Sequence, residues 1–489
     1  MRILLIQPPR PQHGVVAEKH WQLTRPFSLL YLATALTERT PYQVEVLDLE
    51  HPRYRGLSRE EVLDCGRCEI FGITASTHTR FEAIEIARFL KRAHPGSHTI
   101  LGGPHFMYCA EQTLEEIPEV DVVVRGEGEM PLVEVARAID SGSGLHGIPG
   151  VSFRDGGVVH NPEQTSFIDL DSLRSYCEFS WEEYPEYLFN YPEQVRATSV
   201  MTSRGCPYRC VFCSKAGMKY RLRSPRAVAE EIERLHRRFE VEGFNFLDLT
   251  FTAVRDHVEA VCRELVALGV PIRWWCESRV NIPLDLLEVM QRAGCVAVVI
   301  GVESGSSKVL STISKSISVD QVRAFCRRSH DLGIVVTPYF MYSHPGETVA
   351  DVEQTLELMF ELERHTEPCA FQPSMVFPGT ELERMARGNG TVRPDFSWNE
   401  PYQADLNLAL GQLPNLPIFI DRISPDELVR LHNVWEKERA LRDTVRAASS
   451  LSFGELAKKG LNAVLRGKPS ARYLLSPKFF IQYLIGKRG

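Results

Sequence analysis

Three cysteines stand within eight positions in the stretch "TSRGCPYRCVFCSKAG", residues 202–217, and no other part of the chain brings thiols so close together. They are Cys206, Cys210 and Cys213, so three residues separate the first two and two residues separate the last two. A structural zinc site needs four ligands, commonly supplied as two close pairs, and no second pair follows here. A disulfide would use two of the thiols and leave the third unpaired.

Cysteine thiolates also hold iron–sulfur clusters, and a cube of four irons takes four ligands. Three cysteines from the chain would leave one iron open to a substrate or a cofactor. A strand is predicted at "TSVMTS", so the cysteines lie on a loop directly after it. This position and this spacing favour an iron–sulfur cluster over zinc or a disulfide.

Length, charge and hydropathy limit the class of protein. A chain of 489 residues exceeds what one hydrophobic core usually supports, so two or three domains are expected. The net charge of −7 argues against a bulk nucleic-acid binder. No 18-residue apolar run is present, and the apolar part of "MRILLIQPPR" is too short for a signal peptide. We therefore expect a cytoplasmic protein, in which thiols stay reduced.

Residues 1–148 alternate short apolar segments such as "RILLIQPP" and "IFGITAS" with helical ones such as "RFEAIEIARFLKRAHPG". This alternation predicts an α/β fold with a parallel, doubly wound, Rossmann-like sheet. Ligands of such sheets bind outside the carboxyl ends of the strands, although glycines there can also serve only as tight turns. The small and polar residues at these ends are Ser76, Thr77, Gly102, Gly103, Gly126, Glu127 and Gly128.

Residues 149–195 are predicted to be a connector that begins with a β-hairpin turning at residues 155–157. From 196 to 395 the strand–helix alternation resumes with a longer rhythm. Six such units predict an open, partial (β/α)6 barrel, whose functional residues would lie at the carboxyl ends of its strands. One helix, "PRAVAEEIERLHRRF", places Val228, Ile232, Leu235 and Phe239 on one face.

Residues 396–489 are predicted to form a helical C-terminal region. From residue 451 onward this region carries eight lysines and arginines against one glutamate, interleaved with large apolar side chains. A tail of this composition either makes peripheral contact with an anionic membrane surface or packs as a helix on the barrel.

The pattern Cys206-x-x-x-Cys210-x-x-Cys213, with the aromatic Phe212 before the third cysteine, resembles the signature of radical S-adenosylmethionine (SAM) enzymes. The resemblance implies a [4Fe–4S] cluster on the three cysteines and SAM on the open iron. It also implies that the reduced cluster cleaves SAM to a 5′-deoxyadenosyl radical, which abstracts hydrogen from an unreactive C–H bond. A reductant such as flavodoxin or ferredoxin is the implied partner.

Further strand ends resemble the SAM-binding positions of this family. In "FLDLTFT", Asp248 stands where relatives often have two consecutive acids, and Leu249 replaces the second. Backbone carbonyls from Asp248 to Thr250 still offer acceptors for the SAM ammonium group. In "CESRVN", Ser278 and Arg279 follow the next strand, and a guanidinium suits the SAM carboxylate. An arginine exposed on the surface is the alternative.

Two more polar residues follow the fourth and fifth predicted strands of the barrel. Glu303 in "GVESGS" is implied to contact the ribose or the amino group of SAM, the alternative being a carboxylate that stabilises a helix N-terminus. His344 in "YSHPGET" is interpreted either as an acid/base group or as a solvated turn residue.

An α/β domain in front of this motif resembles that of the cobalamin-binding branch of radical SAM enzymes, on the stretches "QPPR", "ITASTHT", "LGGPH" and "RGEGE". Cobalamin is therefore an implied cofactor. The chain lacks Asp-x-His-x-x-Gly, the motif whose histidine ligates cobalt in other cobalamin domains. The implied reaction is methyl transfer from methylcobalamin to an unactivated carbon, with S-adenosylhomocysteine and 5′-deoxyadenosine formed in equal amounts.

Two alternatives within this family are oxidative cyclisation or rearrangement without methyl transfer, and methylthiotransfer. Methylthiotransferases bind a second cluster through three cysteines of the first domain. This domain has only Cys65, Cys68 and Cys109, which we interpret as buried or incidental thiols. The aromatic connector and the basic, apolar tail favour a small-molecule or lipid-like substrate.

Overall fold

A computed structural model describes residues 1–10, 26–54, 57–63, 66–173, 189–190, 195–402, 405–412 and 416–449. The chain forms two compact units, residues 1–422 and residues 423–489. The described part of the second unit is one long helix, Pro425–Ser449. Cys65, most of the aromatic part of the connector and the basic tail after residue 451 lie outside the described residues.

The first sheet has seven strands in the order β2-β1-β3-β4-β5-β6-β7, of which the first five in chain order are parallel. Its strands are β1 Arg2–Gln7, β2 Gln43–Asp48, β3 Ile70–Thr74, β4 His98–Gly102, β5 Val122–Val124, β6 Val151–Arg154 and β7 Val158–His160. The helices between them are α1 Phe27–Arg39, α2 Arg59–Leu63, α3 Arg80–Ala93, α4 Ala110–Glu116 and α5 Glu129–Ser141. The predicted Rossmann-like sheet is confirmed.

The predicted hairpin is β6–β7, and β6 pairs antiparallel with β5, so the hairpin extends the first sheet. Residues 161–169, after β7, have no regular secondary structure, and a short 3-10 helix follows at Leu170–Ser172. The predicted domain limits at 148, 195 and 395 stay predictions.

The second sheet has the order β16-β15-β14-β13-β12-β9-β8, with six parallel strands and the antiparallel β8 at one edge. Its strands are β8 Phe189–Asn190, β9 Arg196–Val200, β12 Gly243–Phe246, β13 Arg273–Ser278, β14 Cys295–Glu303, β15 Val335–Tyr342 and β16 Ala370–Pro373. Two short strands, β10 Ser203–Arg204 and β11 Arg221–Leu222, form a separate hairpin. The six parallel strands confirm the predicted partial barrel.

The helices of the barrel and its extension are α6 Pro225–Phe239, α7 Arg255–Ala267, α8 Asp285–Arg292, α9 Ser307–Thr312, α10 Val319–Asp331, α11 Val349–Leu362, α12 Glu381–Gly388 and α13 Asp405–Ala409. Helix α6 begins where the Ser224 side chain accepts a hydrogen bond from the backbone N–H of Ala227, and Pro225 occupies its first turn. Val228, Ile232 and Leu235 are buried, as their spacing predicts.

Aromatic and small side chains fill the two faces of the second sheet. Trp274 is fully buried and stacks on Phe246 with ring centroids 4.8 Å apart. On the opposite face Trp275 packs with Ala197 and Ala297. On the helix-facing side the sheet therefore packs through the large rings of Phe246 and Trp274. On the inner face, near the start of the strands, the indole of Trp275 packs against small side chains. Within the described residues, no helix is long and apolar enough to cross a membrane.

Candidate cofactor site

The cysteine loop, residues 205–220, is closed at its base by the β10–β11 hairpin, in which Arg204 pairs with Arg221. Gly205 has a φ of +86°, and a Cβ there would lie 2.2 Å from the carbonyl oxygen of Lys219. Only glycine fits this position without moving the backbone. At the start of the loop, the backbone at Gly205 therefore runs close to the backbone at Lys219, and this close approach is called the tight entry to the loop.

Within the loop, Cys210 is buried and Cys206 and Cys213 are half-buried. Burial raises the pKa of Cys206 and of Cys213. The backbone N–H of Val211 donates to the carbonyl of Ile313 at 3.2 Å, which ties the loop to the segment between α9 and α10. Three thiols on one short loop are the donor set that an iron–sulfur cluster takes.

Among the described residues, no three His, Cys, Asp or Glu side chains stand at metal-binding separation. The fit of a cluster to this loop rests on its donor chemistry, and not on a preformed ligand geometry.

The carboxylate of Asp248 is buried at the end of β12 and is fully engaged by the chain. It accepts hydrogen bonds from the backbone N–H and hydroxyl of Thr202, at 2.9 and 2.7 Å, and from the backbone N–H and hydroxyl of Ser203. The carboxylate is therefore used within the chain, and the contact of SAM with the backbone carbonyls from Asp248 to Thr250 stays a prediction. Asp248 positions the backbone just before the cysteine loop.

Arg279 is buried beside the cysteine loop, which excludes the alternative of a surface arginine. Its Nη1 donates to Cys210 Sγ at 3.7 Å, and its guanidinium lies 3.9 Å from the ring centroid of Tyr208. Its Nη2 has no hydrogen-bond partner in the part of the chain that the structure describes. A buried donor of this kind fits an anionic group of a bound ligand.

Ser278 precedes this arginine at the end of β13, and Thr250 follows the neighbouring strand β12. The Ser278 hydroxyl lies 2.9 Å from the hydroxyl of Thr252 and 2.9 Å from the carbonyl of Arg279. The hydroxyl of Thr250 is buried without a partner. Polar atoms that the chain leaves unsatisfied at these strand ends fit the amino acid portion of SAM.

Glu303 has a φ of +72° and accepts a hydrogen bond from Lys315 Nζ at 2.7 Å, both side chains being about 8% exposed. A Cβ at Gly301 would lie 2.5 Å from Glu303 Oε1 and 2.7 Å from Lys315 Nζ, so glycine makes room for this ion pair. The sequence did not single out Lys315, because its partner lies on another element and no motif surrounds it.

His344 is 1% exposed, so the alternative of a solvated turn residue is wrong. Its Nδ1 lies 2.9 Å from the hydroxyl of Ser374, and its Nε2 has no hydrogen-bond partner among the described residues. Burial lowers the pKa of His344 to about 3, so the imidazole is neutral at physiological pH. Its ring centroid lies 6.1 Å from that of Phe212, which places the histidine next to the cysteine loop.

Ser76 and Thr77 follow β3 in the first sheet, as predicted. Thr77 is buried with its hydroxyl 3.3 Å from His105 Nδ1, while Ser76 packs its hydroxyl against that of Thr79 at 3.3 Å. His105 Nε2 and His78 Nδ1 are buried without a partner. These strand ends thus leave polar atoms unsatisfied where the fold places a cofactor.

The glycines at the next two strand ends have different roles. Gly103 has a φ of +90°, and a Cβ there would lie 2.5 Å from the hydroxyl of Thr74. Gly128 precedes α5, and a Cβ there would lie 2.9 Å from a methyl carbon of Leu32, whereas one at Gly102 would make only ordinary contacts. Gly103 is therefore required by the backbone of this turn, whereas at Gly128 only the end of the Leu32 side chain would have to move.

Glu127 does not face an open crevice. Its carboxylate forms ion pairs with Arg204 at 2.7 Å and with Arg221 at 2.5 Å, and Gln164 hydrogen-bonds its backbone. The sequence predicted Glu127 as a cofactor contact because it follows β5. Its partners are 77 and 94 residues away and carry no local signal.

The comparisons agree with this geometry. The model of the radical SAM superfamily matches residues 200–359, and that of the B12 binding domain matches residues 15–136. The uncharacterized methyltransferase PH0819 of Pyrococcus horikoshii is 30% identical over 401 residues, which cover 80% of this chain and 84% of that protein. This chain belongs to the cobalamin-binding radical SAM enzymes. As a radical SAM enzyme with a B12 domain, it uses a [4Fe–4S] cluster, SAM and cobalamin.

Two further proteins are similar to this radical SAM enzyme. One is named for a different reaction, and the other is a solved structure with lower sequence identity. The anaerobic magnesium-protoporphyrin IX monomethyl ester cyclase of Rubrivivax gelatinosus is 29% identical, over 73% of this chain and 65% of that protein. The methyltransferase TsrM of Kitasatospora setae, solved with cobalamin and a [4Fe–4S] cluster, superposes with a TM-score of 0.63 at 20% identity, over 79% of this chain and 75% of that one. At this identity the likeness to TsrM shows the fold alone.

The two thiols of the first domain that the structure describes do not lie together as ligands of a second cluster would. Cys68 is buried just before β3, at the amino end of the sheet, while Cys109 follows the carboxyl end of β4 and packs against Val376 and Leu382. Parallel neighbours such as β3 and β4 place these two ends at opposite edges of the sheet. The two described cysteines of this domain are therefore core residues.

Proposed function

We propose that this radical SAM enzyme is a C-methyltransferase that acts on an unactivated carbon of a small-molecule substrate. The observation that carries the proposal is the contact between the two cofactor domains. The hydroxyl of Tyr108, after β4, donates to the carbonyl of Ser214 in the cysteine loop at 2.5 Å. A methyl carrier and a radical generator on neighbouring loops are what such a methylation needs. The match to a methyltransferase over both domains supports the same reaction.

When bound, the cluster with SAM supplies a carbon radical, and cobalamin supplies the carried methyl group. Cys206, Cys210 and Cys213 would hold three irons of the cluster. Arg279, with its free Nη2, would bind the SAM carboxylate, and the backbone around Thr250 would accept from the SAM ammonium group.

The apolar surface beside these groups would receive the substrate. Leu247 and Leu249 are 37% and 40% exposed on either side of the buried Asp248, at the carboxyl end of β12. Apolar side chains at this position keep water away from a reactive carbon centre. Neutral His344, next to Phe212, can donate or accept a hydrogen bond there without adding charge. The reductant, the cytoplasmic location and peripheral membrane contact stay predictions.

The cyclase relative favours one second candidate, oxidative ring formation without methyl transfer. The two reactions differ in what happens to the SAM methyl group. Methylation converts SAM to equal amounts of S-adenosylhomocysteine and 5′-deoxyadenosine, whereas ring formation yields 5′-deoxyadenosine without S-adenosylhomocysteine.

The test is anaerobic reconstitution with iron, sulfide and hydroxocobalamin, followed by reduction with dithionite and turnover of SAM bearing a deuterated methyl group with a pool of candidate small molecules. Equal nucleoside products and a deuterated organic product would support the methyltransferase. 5′-Deoxyadenosine with an unlabelled, oxidised product would support the cyclase.

Alanine at each of the three loop cysteines should abolish the cluster absorbance and all radical cleavage of SAM. Cys326→Ala is the matched control, because Cys326 is a buried thiol on α10 and should leave both intact. A cluster that survives loss of any loop cysteine would contradict the assignment.

A further inference from the structure

A buried group of charges joins the first domain to the base of the cysteine loop. Arg204 Nη1 lies 2.7 Å from Glu127 Oε2 and 2.8 Å from Glu129 Oε1. Arg221 Nη2 lies 2.5 Å from Glu127, and its Nη1 donates to the carbonyl of Ile168 at 2.7 Å. The four charged side chains are between 6% and 17% exposed.

Arg204 and Arg221 pair with each other across the β10–β11 hairpin. The ion pairs therefore hold both β10, which leads into the cysteine loop, and β11, which follows it. The carboxylates come from the stretch "GEGE", residues 126–129, which follows β5 and ends at the first residue of α5. Moving the hairpin away from this turn would leave buried charges of both signs uncompensated, which is strongly unfavourable. The base of the loop is thus tied to this turn and follows its position.

A second contact holds the far side of the same loop. The Tyr108 hydroxyl donates to the carbonyl of Ser214, directly after Cys213. Gly379 has a φ of +73°, and a Cβ there would lie 2.3 Å from the Tyr108 ring, so the barrel leaves space for this tyrosine. Tyr108 follows β4, and Glu127 follows β5, which are neighbouring strands at whose carboxyl ends the fold places cobalamin.

We propose that these contacts form an interdomain latch, made of Glu127, Glu129, Arg204 and Arg221 with Tyr108 and Ser214, through which cobalamin and SAM increase each other's affinity. Cobalamin orders the loops after β4 and β5. The latch passes that order to the cysteine loop, so SAM binds with less loss of conformational freedom. Linkage requires the same enhancement in the reverse direction. The latch residues position the sites and touch neither cofactor; the inference rests on the proposed cofactor sites.

The test measures SAM affinity of the cluster-loaded protein with and without hydroxocobalamin, and hydroxocobalamin affinity with and without SAM. In the unmodified chain both ratios should be equal and within the usual range of about 5- to 150-fold. Glu127→Gln should bring both ratios close to one while hydroxocobalamin affinity in the absence of SAM stays unchanged. Asp121→Asn is the matched control, because Asp121 precedes β5 and pairs with Lys91 within the first domain, at 2.8 Å.

Affinity ratios of one in the unmodified chain would overturn the latch. Ratios in Glu127→Gln as large as those of the unmodified chain would overturn it as well. Weaker hydroxocobalamin binding by Glu127→Gln without SAM would also overturn it, because Glu127 would then be a direct cobalamin contact. Should that variant fail to fold, Tyr108→Phe removes only one hydroxyl, and it must lower both ratios for the latch to stand. Failure of the unmodified chain to hold either cofactor would instead contradict the proposed function.

Discussion

The guanidinium of Arg279 contacts a thiol and an aromatic ring, and one of its nitrogens makes no hydrogen bond within the described residues. Its Nη1 reaches Cys210 and its face covers Tyr208, while Nη2 points to no acceptor of the chain. A buried guanidinium needs an anion nearby, and the described part of the chain provides only the thiol sulfur and the Asn281 side-chain oxygen, 3.3 Å from Nε. The missing anion is best supplied by a carboxylate of the bound cofactor.

Arg279→Gln should therefore weaken SAM binding by roughly 10- to 100-fold, the loss expected for one or two hydrogen bonds to a charged group. Arg279→Lys should bind SAM with intermediate affinity, because lysine keeps the positive charge and loses the planar pair of N–H donors. Calorimetric titration of the reconstituted protein with SAM measures both. Arg255→Gln, on the exposed side of α7, should bind like the unmodified chain. Unchanged affinity in Arg279→Gln would contradict the assignment.

The sequence predicted which residue types stand at the strand ends, because strand periodicity is local. It did not predict which of them the chain itself would use. Asp248 and Glu127 were expected to face cofactors, yet Thr202, Ser203 and the arginines of the latch occupy their carboxylates. Such long-range pairs leave no periodic signal along the chain.

At the scale of elements, the tight entry to the cysteine loop gives a direct prediction. Gly205→Ala should open the β10–β11 hairpin and lower the iron content after reconstitution several-fold, because its Cβ would collide with the Lys219 carbonyl. Gly217→Ala is the matched control. Gly217 also has positive φ, +70°, but a Cβ there meets nothing closer than 3.9 Å. Iron analysis that finds equal content in the two variants would show that the entry does not shape the loop.

Glu347, in the turn between β15 and α11, makes the stability of the protein depend on pH. Burial raises the pKa of Glu347 from its ordinary 4.5 to about 8. Between these values the folded state binds a proton that the unfolded state has lost, so Glu347 lowers the free energy of unfolding as pH rises from about 4.5 to about 8.

Glu347→Gln removes this titration. The variant should resemble the unmodified chain at pH 5 and be more stable at pH 8, by an amount on the order of 1 kcal/mol or more. Denaturant unfolding of the cofactor-free protein at the two values measures the difference. A stability difference that does not grow with pH would contradict the raised pKa.

At the scale of the molecule, Arg80 shows that the two sheets share one folded unit. It is fully buried at the start of α3, where its Nε donates to the Trp398 carbonyl at 2.8 Å and its Nη1 donates to the Thr77 carbonyl at 2.5 Å. Trp398 lies beyond the barrel, 318 residues along the chain. This contact could not be predicted from the sequence, whereas the two sheets on either side of it could.

Arg80→Met should lower the free energy of unfolding by about 2–4 kcal/mol, since it leaves two buried carbonyls without their charged donor. Hydrogen exchange should accelerate both around residues 77–80 and around residues 396–399. Arg88→Met, an arginine on the same helix that pairs with the half-exposed Glu85, should change neither segment. Acceleration confined to one side would mean that the two sheets unfold independently.

The six parallel strands of the second sheet do not close into a ring in the described residues, because the sheet ends at β8 on one side and at β16 on the other. A closed barrel has its curvature fixed by a complete ring of hydrogen bonds between strands. In this chain the curvature of the strands around the cysteine loop depends on the helices packed against the sheet, so a change in helix packing would alter the distances between strand ends.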